Sequence, residues 1–254
     1  MEPRLSEERR GMVAEMLQAA GAVTVPELQE RFGISPMTAR RDLAVLAERG
    51  VARRTHGGAV LPSLAAREDS FAHRLRDAPE EKTRLAEAAY AMLRPGETVF
   101  LDASSTTYFV ARMIAERGLA VRVITNSLPV LQELSSADCE VVAIGGSFRQ
   151  LTRSYVGPAA VRAVRDHFAD RLLLSVTGVT AGGILADADV LEAEVKRTML
   201  AQAEHSVLLL DASKLRARGR QAIAPITALS DVLTDGLAPE QARWLDRLRT
   251  TSTP

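Results

Sequence analysis

From Thr24 to Val60 the chain carries two helix starts, a forced turn and a glycine hairpin in fixed order, and few small folds accept that order. The Thr24 hydroxyl can accept from the free amides of a first helical turn while Glu27, three residues on, reaches back to the Thr24 amide, which is the pattern of a capping box. Pro26 is tolerated there because the N–H it lacks has no intrahelical partner, and Leu28 with Phe32 makes a buried i, i+4 pair. Gly33 ends this helix by taking a positive φ, Ile34 fills the corner, and Ser35 with Pro36 opens the next helix. In that third helix Ala39, Leu43 and Leu46 recur at helical spacing and are expected to face inward. Met37, Thr38, Arg40, Arg41, Ala44, Val45 and Glu48 are then left at the side or outside. Val51 to Arg54, His56-Gly57-Gly58 and Ala59 to Leu61 read as two short strands about a glycine turn. Ahead of both, Ser6 is placed to cap a first helix whose Val13, Met16, Leu17 and Ala20 close a small core. The expected unit is a winged helix-turn-helix.

Its charge points to a partner. Between Thr38 and Gly58, Arg40, Arg41, Arg49, Arg53 and Arg54 oppose only Asp42 and Glu48, in a chain whose formal net charge is +0. A recognition helix presents its N-terminal residues to base edges in the major groove, and a basic hairpin lies along the backbone or the minor groove. The expected contacts with double-stranded operator DNA are Ser35, Met37, Thr38, Arg40 and Arg41 on the helix, with Arg53, Arg54, Thr55 and His56 on the wing. A solvated charged face would account for the arginines, but not for the caps, the turn and the R-R-T-H-G-G segment that accompany them.

The whole chain, 254 residues and 46% apolar, is long enough for one small and one medium domain. The boundaries expected are 1–62 for the DNA-binding domain, 63–79 for a polar linker and 80–254 for an effector domain. A single cysteine, Cys139, excludes an internal disulfide framework and reads as a small core residue in the run C-E-V-V-A-I. His56, His73, His167 and His205 lack ligand spacing, so neither a metal nor a cofactor is expected. No apolar run approaches the roughly 20 residues that span a bilayer, and a cytoplasmic protein with no membrane partner is expected.

From Lys82 onward strand and helix signals alternate, which implies an α/β domain with a mostly parallel sheet covered by helices. The first helix is expected to bury Leu85, Ala88, Ala89, Met92 and Leu93 before Arg94-Pro95-Gly96 stops it. Ligands of open parallel sheets sit beyond the carboxyl ends of the strands, and here those ends are polar. Asp102, Ser104, Ser105, Thr106 and Thr107 follow V-F-L; Thr125, Asn126 and Ser127 follow V-I; Gly145 and Gly146 follow V-V-A-I; Asp211, Ser213 and Lys214 follow V-L-L-L. Hydroxyls and free amides at a helix start favour an anion, and phosphate is the anion expected. Gly145-Gly146 would let the backbone approach it, Lys196 or Lys214 would supply a point charge, and Asp102 or Asp211 would bind sugar hydroxyls. Lysine is scarce, three residues against 29 arginines, and two of the three fall at these positions. The apolar tail of Leu237, Trp244, Leu245 and Leu248 suits either core or interface.

With these residues in view, the chain resembles the DeoR family of bacterial transcription regulators. T-A-R-R-D-L from Thr38 to Leu43 and R-R-T-H-G-G-A from Arg53 to Ala59 carry the resemblance in the head. Further on it runs through Asp102 to Thr107, Thr125-Asn126-Ser127, Gly145-Gly146 with Arg149, Tyr155-Val156-Gly157-Pro158, Gly178, Glu194-Val195-Lys196-Arg197 and Asp211-Ala212-Ser213-Lys214. Phe71 and Arg74 match the F-x-x-R that precedes the family's second domain, which implies that part of the linker docks there. The resemblance also implies a sensor domain built like pentose-phosphate isomerases and CoA transferases, a phosphorylated sugar effector, and a repressor acting as a homo-oligomer, dimer or tetramer, on a carbohydrate operon. Ser104 and Thr177 depart from it, standing where the family usually has glycine and an acidic residue. The alternative is a sugar-phosphate isomerase fused to a DNA-binding head, with Asp102, Glu194, Lys196 and Lys214 as base and electrophile. A DNA-bound architectural protein with a vestigial pocket is a third reading, separated from the first by sequence preference.

Overall fold

The computed structural model describes residues 2–55, 57–60, 70–215 and 219–250. The chain divides into two compact units between His73 and Arg74.

The first unit contains α1 (Glu2–Ala20), β1 (Ala22–Thr24), α2 (Val25–Phe32), α3 (Pro36–Glu48), β2 (Arg53–Arg54) and β3 (Gly58–Val60). The capping box forms: the Glu27 amide donates to Thr24 Oγ1 at 3.3 Å, and the Thr24 amide donates to the Glu27 carboxylate at 2.6 Å. Gly33 closes α2 at φ 62°, and the Ser35 hydroxyl caps α3 by accepting from the Thr38 amide at 3.2 Å. Val13, Leu17, Leu28, Ala39, Leu43 and Leu46 meet in one buried cluster. The strands form an antiparallel sheet in the order β1-β3-β2, with Ala59 opposite both Val23 and Arg54. Gly58 is demanded by close approach, since a Cβ there would lie 2.1 Å from the Val23 carbonyl oxygen.

Two details differ from expectation. The first helix starts at Glu2, so Ser6 lies inside it and is not its cap, and Ala20 at its end is exposed. Asp42, counted among the charges of the reading surface, is buried on the inner side of α3.

The helix α4 (Phe71–Arg76) crosses the division between the units, so the described part of the expected linker is helical. The second unit continues with α5 (Pro79–Ala91), β4 (Thr98–Leu101), α6 (Ser105–Arg117), β5 (Arg122–Thr125), α7 (Leu128–Leu134), β6 (Glu140–Ala143), β7 (Ser147–Arg149), β8 (Ser154–Val156) and α8 (Pro158–Arg165). Then come β9 (Ala169–Leu174), β10 (Gly178–Val179), β11 (Ile184–Asp187), α9 (Val190–Ala201), β12 (Ala203–Asp211), β13 (Gln221–Pro225), β14 (Asp231–Asp235) and α10 (Pro239–Thr250).

Six of these strands form one parallel sheet in the order β14-β12-β9-β4-β5-β6. Its apolar runs divide by alternation. Val99, Leu101, Val123, Leu173, Val207 and Leu209 point to the face covered by α5, α6 and α7, while Phe100, Ile124, Leu172, Leu174, Leu208 and Leu210 point to a cluster shared with α8, α9 and α10. Leu245 is buried in that second cluster, and Leu237, Trp244 and Leu248 of the apolar tail pack half-buried against it.

On α5 the buried stripe is Lys82, Leu85, Ala86 and Ala89, and the expected Ala88 is exposed. Positions 82, 85, 86 and 89 keep the 3.6-residue period that Ala88 breaks. Cys139 is only half-buried, just ahead of β6. Beyond the parallel sheet lie a hairpin, β7-β8, and a small antiparallel sheet, β10-β11-β13.

Candidate functional site

The first unit exposes most of the residues expected to contact DNA. Ser35, Met37, Arg40 and Arg41 are exposed along the first turns of α3, and Thr38 is half-buried. Met37 is an apolar side chain left 73% exposed on an otherwise charged face. Arg53, Arg54 and Thr55 are exposed on the wing, and His56 lies outside the described residues. Arg49 turns away from this group to bind Glu7 of α1. Among the described residues Arg40, Arg41, Arg53 and Arg54 have no carboxylate partner, which leaves four positive charges free for phosphates or base edges.

In the second unit the strand order reverses between β4 and β9, and β4 neighbours both β9 and β5. A crevice at such a reversal is where doubly wound sheets hold ligands. Asp102, just past the end of β4, lies at this reversal and is fully buried. One Asp102 oxygen accepts from the Ser104 amide at 3.0 Å and the Thr107 hydroxyl at 2.9 Å, and the other accepts from the Ser175 amide at 3.1 Å and the Lys196 ammonium at 2.7 Å. Lys196 also donates to the Ser175 carbonyl at 2.6 Å and pairs with Asp187 at 3.1 Å. Burial opposes its charge, but Asp102 and Asp187 outweigh that, so the ammonium is held above the ordinary lysine range. Burial likewise acts to raise Asp187, yet Lys196, the Thr177 hydroxyl, the Ala188 amide and the charge of Arg74 bring its carboxyl below the usual range.

These bonds revise the expected roles. The donors of Lys196 and both oxygens of Asp102 are engaged within the protein, so neither is free to hold a phosphate or a sugar hydroxyl. Ser104 is engaged too: its hydroxyl accepts from the Thr107 amide at 3.1 Å and caps α6, taking a first-turn N–H that an anion would otherwise use. Thr125 Oγ1 accepts from the Ser127 amide at 3.1 Å, and Ser127 caps α7. Gly146 serves packing. Its φ is 154°, and a Cβ would lie 2.7 Å from the Val156 carbonyl and 3.0 Å from the Ala160 methyl; Gly145 has open space around it.

Other expected groups remain open. Ser105 and Thr106 are buried, and their hydroxyls make no hydrogen bond among the described residues. Asn126 donates to the Tyr155 carbonyl at 2.9 Å, but its buried Oδ1 has no partner among the described residues. Asp211 accepts from the Ser213 amide at 2.9 Å through Oδ1, while its buried Oδ2 has no partner among the described residues. Lys214 is buried nearby.

Two residues not assigned to the site from the sequence, Lys82 and Arg74, lie close to each other, and Lys82 lies near Asp211 and Lys214. Lys82 is fully buried and donates to the Arg74 and Asp77 carbonyls. Burial first and the charge of Lys214 second push it down to about 8, against the opposing pull of Asp211 and Asp77. Among the described residues the buried Nε and Nη2 of Arg74 have no hydrogen-bond partner. The clue to Lys82 was composition, since all three lysines of this arginine-rich chain are buried at strand-end positions or beside them. Among the described residues no His, Cys, Asp and Glu gather in a group of three or more that could hold a metal ion, and no helix is long and apolar enough to cross a membrane.

A winged reading head joined to an α/β unit with buried polar groups at its strand ends defines a DNA-binding regulator with a ligand-sensing body. The DeoR-like helix-turn-helix domain matches residues 9–64 and the DeoR C terminal sensor domain matches residues 77–236. The chain belongs to the DeoR family of transcription regulators and is not an enzyme. It is similar to the HTH-type transcriptional regulator GlpR of Haloferax volcanii, 33% identical over 94% of this chain and 93% of the relative. It is also similar to the glycerol-3-phosphate regulon repressor of Escherichia coli, 30% identical over 91% of this chain and 92% of the relative. Among solved structures, ribose 5-phosphate isomerase A of Methanocaldococcus jannaschii matches at 17% identity and a TM-score of 0.40, over 54% of each chain.

Proposed function

We propose that the protein is a repressor that holds operator DNA as a dimer or tetramer and releases it when a phosphorylated sugar enters the crevice at the strand ends. The observation that carries the effector half is a set of buried polar atoms without hydrogen-bond partners among the described residues, Arg74 Nε and Nη2, Asp211 Oδ2 and Asn126 Oδ1. Buried donors and acceptors left unpaired are costly, and a ligand offering an anion to the first pair and hydroxyls to the others removes that cost. Arg74, Lys82 and Lys214 are assigned to the phosphate, with Ser105 and Thr106 beside it; Asp211 and Asn126 are assigned to sugar hydroxyls. Asp102, Lys196 and Asp187 form the fixed floor. In this reading 1–62 is the reading head, 63–79 the connector that carries the signal and 80–254 the sensor, and the protein works in the cytoplasm. The relative that represses a glycerol-3-phosphate regulon supports an effector of this chemical class.

Release requires that the effector bind the low-affinity conformation better than the DNA-bound one. The test begins with selection of a preferred duplex from a random pool, followed by titration of glycerol 3-phosphate, ribose 5-phosphate, glucose 6-phosphate and fructose 6-phosphate. At least one is expected to weaken binding to the selected duplex by roughly tenfold or more and to raise the melting temperature. If none does either, the effector half fails. A selection that returns no preferred sequence removes the operator half.

A further inference from the structure

The recognition helix carries a buried carboxylate, Asp42. Asp42 follows Arg40 and Arg41 directly, yet it is 1% exposed while both arginines are exposed. Its two oxygens are divided between neighbouring residues of α1: Arg9 Nε donates to one at 2.6 Å and Arg10 Nε to the other at 3.0 Å. Arg10 Nη1 also donates to Glu7 at 2.9 Å, and Glu7 accepts from Arg49 at the C-terminal end of α3. One connected network therefore ties α1 to the recognition helix at its middle and at its end.

A buried ion pair is weak support for stability, because desolvation offsets most of the attraction, but it can fix one arrangement among several apolar alternatives. The apolar contacts of α3 are made by Ala39, Leu43 and Leu46, and apolar burial is non-directional, so it fixes rotation about the helix axis less sharply than a hydrogen-bonded ion pair does. Base reading tolerates little rotation, since a recognition group must be held within about 0.5 Å and 10–20° of its working geometry. We propose that Asp42, held by Arg9 and Arg10, is a positioning residue for sequence reading: it sets the rotation of α3 that aims Arg40 and Arg41 at base edges, and Glu7 fixes the far end through Arg49.

Charge and position make opposite predictions, and that allows a test. Asp42→Asn removes a negative charge from a DNA-binding unit, so charge alone tightens binding to every duplex. Loss of positioning instead weakens the preferred duplex and spares the rest. The full-length protein is used to select a preferred duplex, and affinities for it and for a scrambled duplex are measured over a range of salt for wild type, Asp42→Asn and Glu7→Gln, with melting curves for each. Asp42→Asn is expected to lose roughly tenfold in affinity for the preferred duplex, with the scrambled duplex bound as tightly as before or more tightly. Glu7→Gln, at an exposed position that leaves the core intact, is expected to lose roughly threefold in the same selective manner. An unchanged ratio of preferred to scrambled affinity in folded Asp42→Asn overturns the proposal, whatever happens to its melting temperature. If Asp42→Asn does not fold, an unchanged ratio in Glu7→Gln overturns it.

Discussion

Arg41 and Arg54 are both exposed and both lack carboxylate partners among the described residues, but they sit on different devices, and their replacement should read differently. Arg41→Ala is expected to weaken the preferred duplex by about 1–3 kcal/mol and relax the preference at one position, as for a base contact in the major groove. Arg54→Ala is expected to weaken all sequences alike and to lower the slope of log K against log salt by about 1, as for a phosphate contact. Equal loss on every sequence for both variants would show that neither reads bases. In the crevice, Ser104→Gly frees the Thr107 amide that the serine hydroxyl now occupies. Serine and glycine differ by only a few tenths of a kcal/mol as helix caps, so the variant should stay folded while binding inorganic phosphate more tightly in a calorimetric titration. No gain would show that the N-terminus of α6 does not face the anion. Residue types at the strand ends were legible because hydroxyls and carboxylates just past apolar runs stand out. Their availability was not: Asp102 and Lys196 look as free in the sequence as Asp211 and Lys214, and only a bond between residues 94 apart separates them.

The elements of the reading head were legible almost entirely, because caps, turn and wing are set by residues within three or four positions of one another, as Thr24 with Glu27 and Ser35 with Thr38 show. The strand β1 was not, since Ala22 to Thr24 becomes a strand only by pairing with β3 some 36 residues later; Thr24 lies opposite Gly58. That pairing gives Gly58 a role no turn requires. Gly58→Ala is expected to push β1 and β3 apart, to destabilise the wing, and to cost DNA affinity on preferred and scrambled sequences together, seen as a lower melting temperature and weaker binding. A variant that melts and binds like wild type would show that the sheet yields to the methyl. In the second unit the long apolar runs announced the parallel strands, while β7, β8, β10, β11 and β13 passed unread. Each is two to five residues long, too short for alternation to register, and each is held by its partners across the sheet.

Stability of the whole molecule should carry the mark of Lys82. Its ammonium is pushed down to about 8 in the folded chain, below the ordinary lysine value that the unfolded chain restores. Below about pH 8 both states hold the proton and the group adds no slope; from there to about pH 10.5 the unfolded chain binds more protons, so stability rises with pH. Melting curves are expected to show that rise in wild type and not in Lys82→Met. Affinity for inorganic phosphate should fall over the same range if the ammonium faces the anion, and a flat affinity would remove Lys82 from the site. Assembly is tested by light scattering: two-fold readers bind two half-sites, so a dimer or tetramer is expected, and a monomer on a single half-site would refute it. What the sequence determined by itself was the kind of protein this is: a winged head, a parallel α/β body, and the surface each presents. Those follow from caps, periodicity and strand-end chemistry, all short-range. Tertiary structure alone decided which charges are already answered, because burial of Lys82, the clamp on Asp42 and the pairing of Asp102 with Lys196 arise where distant segments meet and water is excluded.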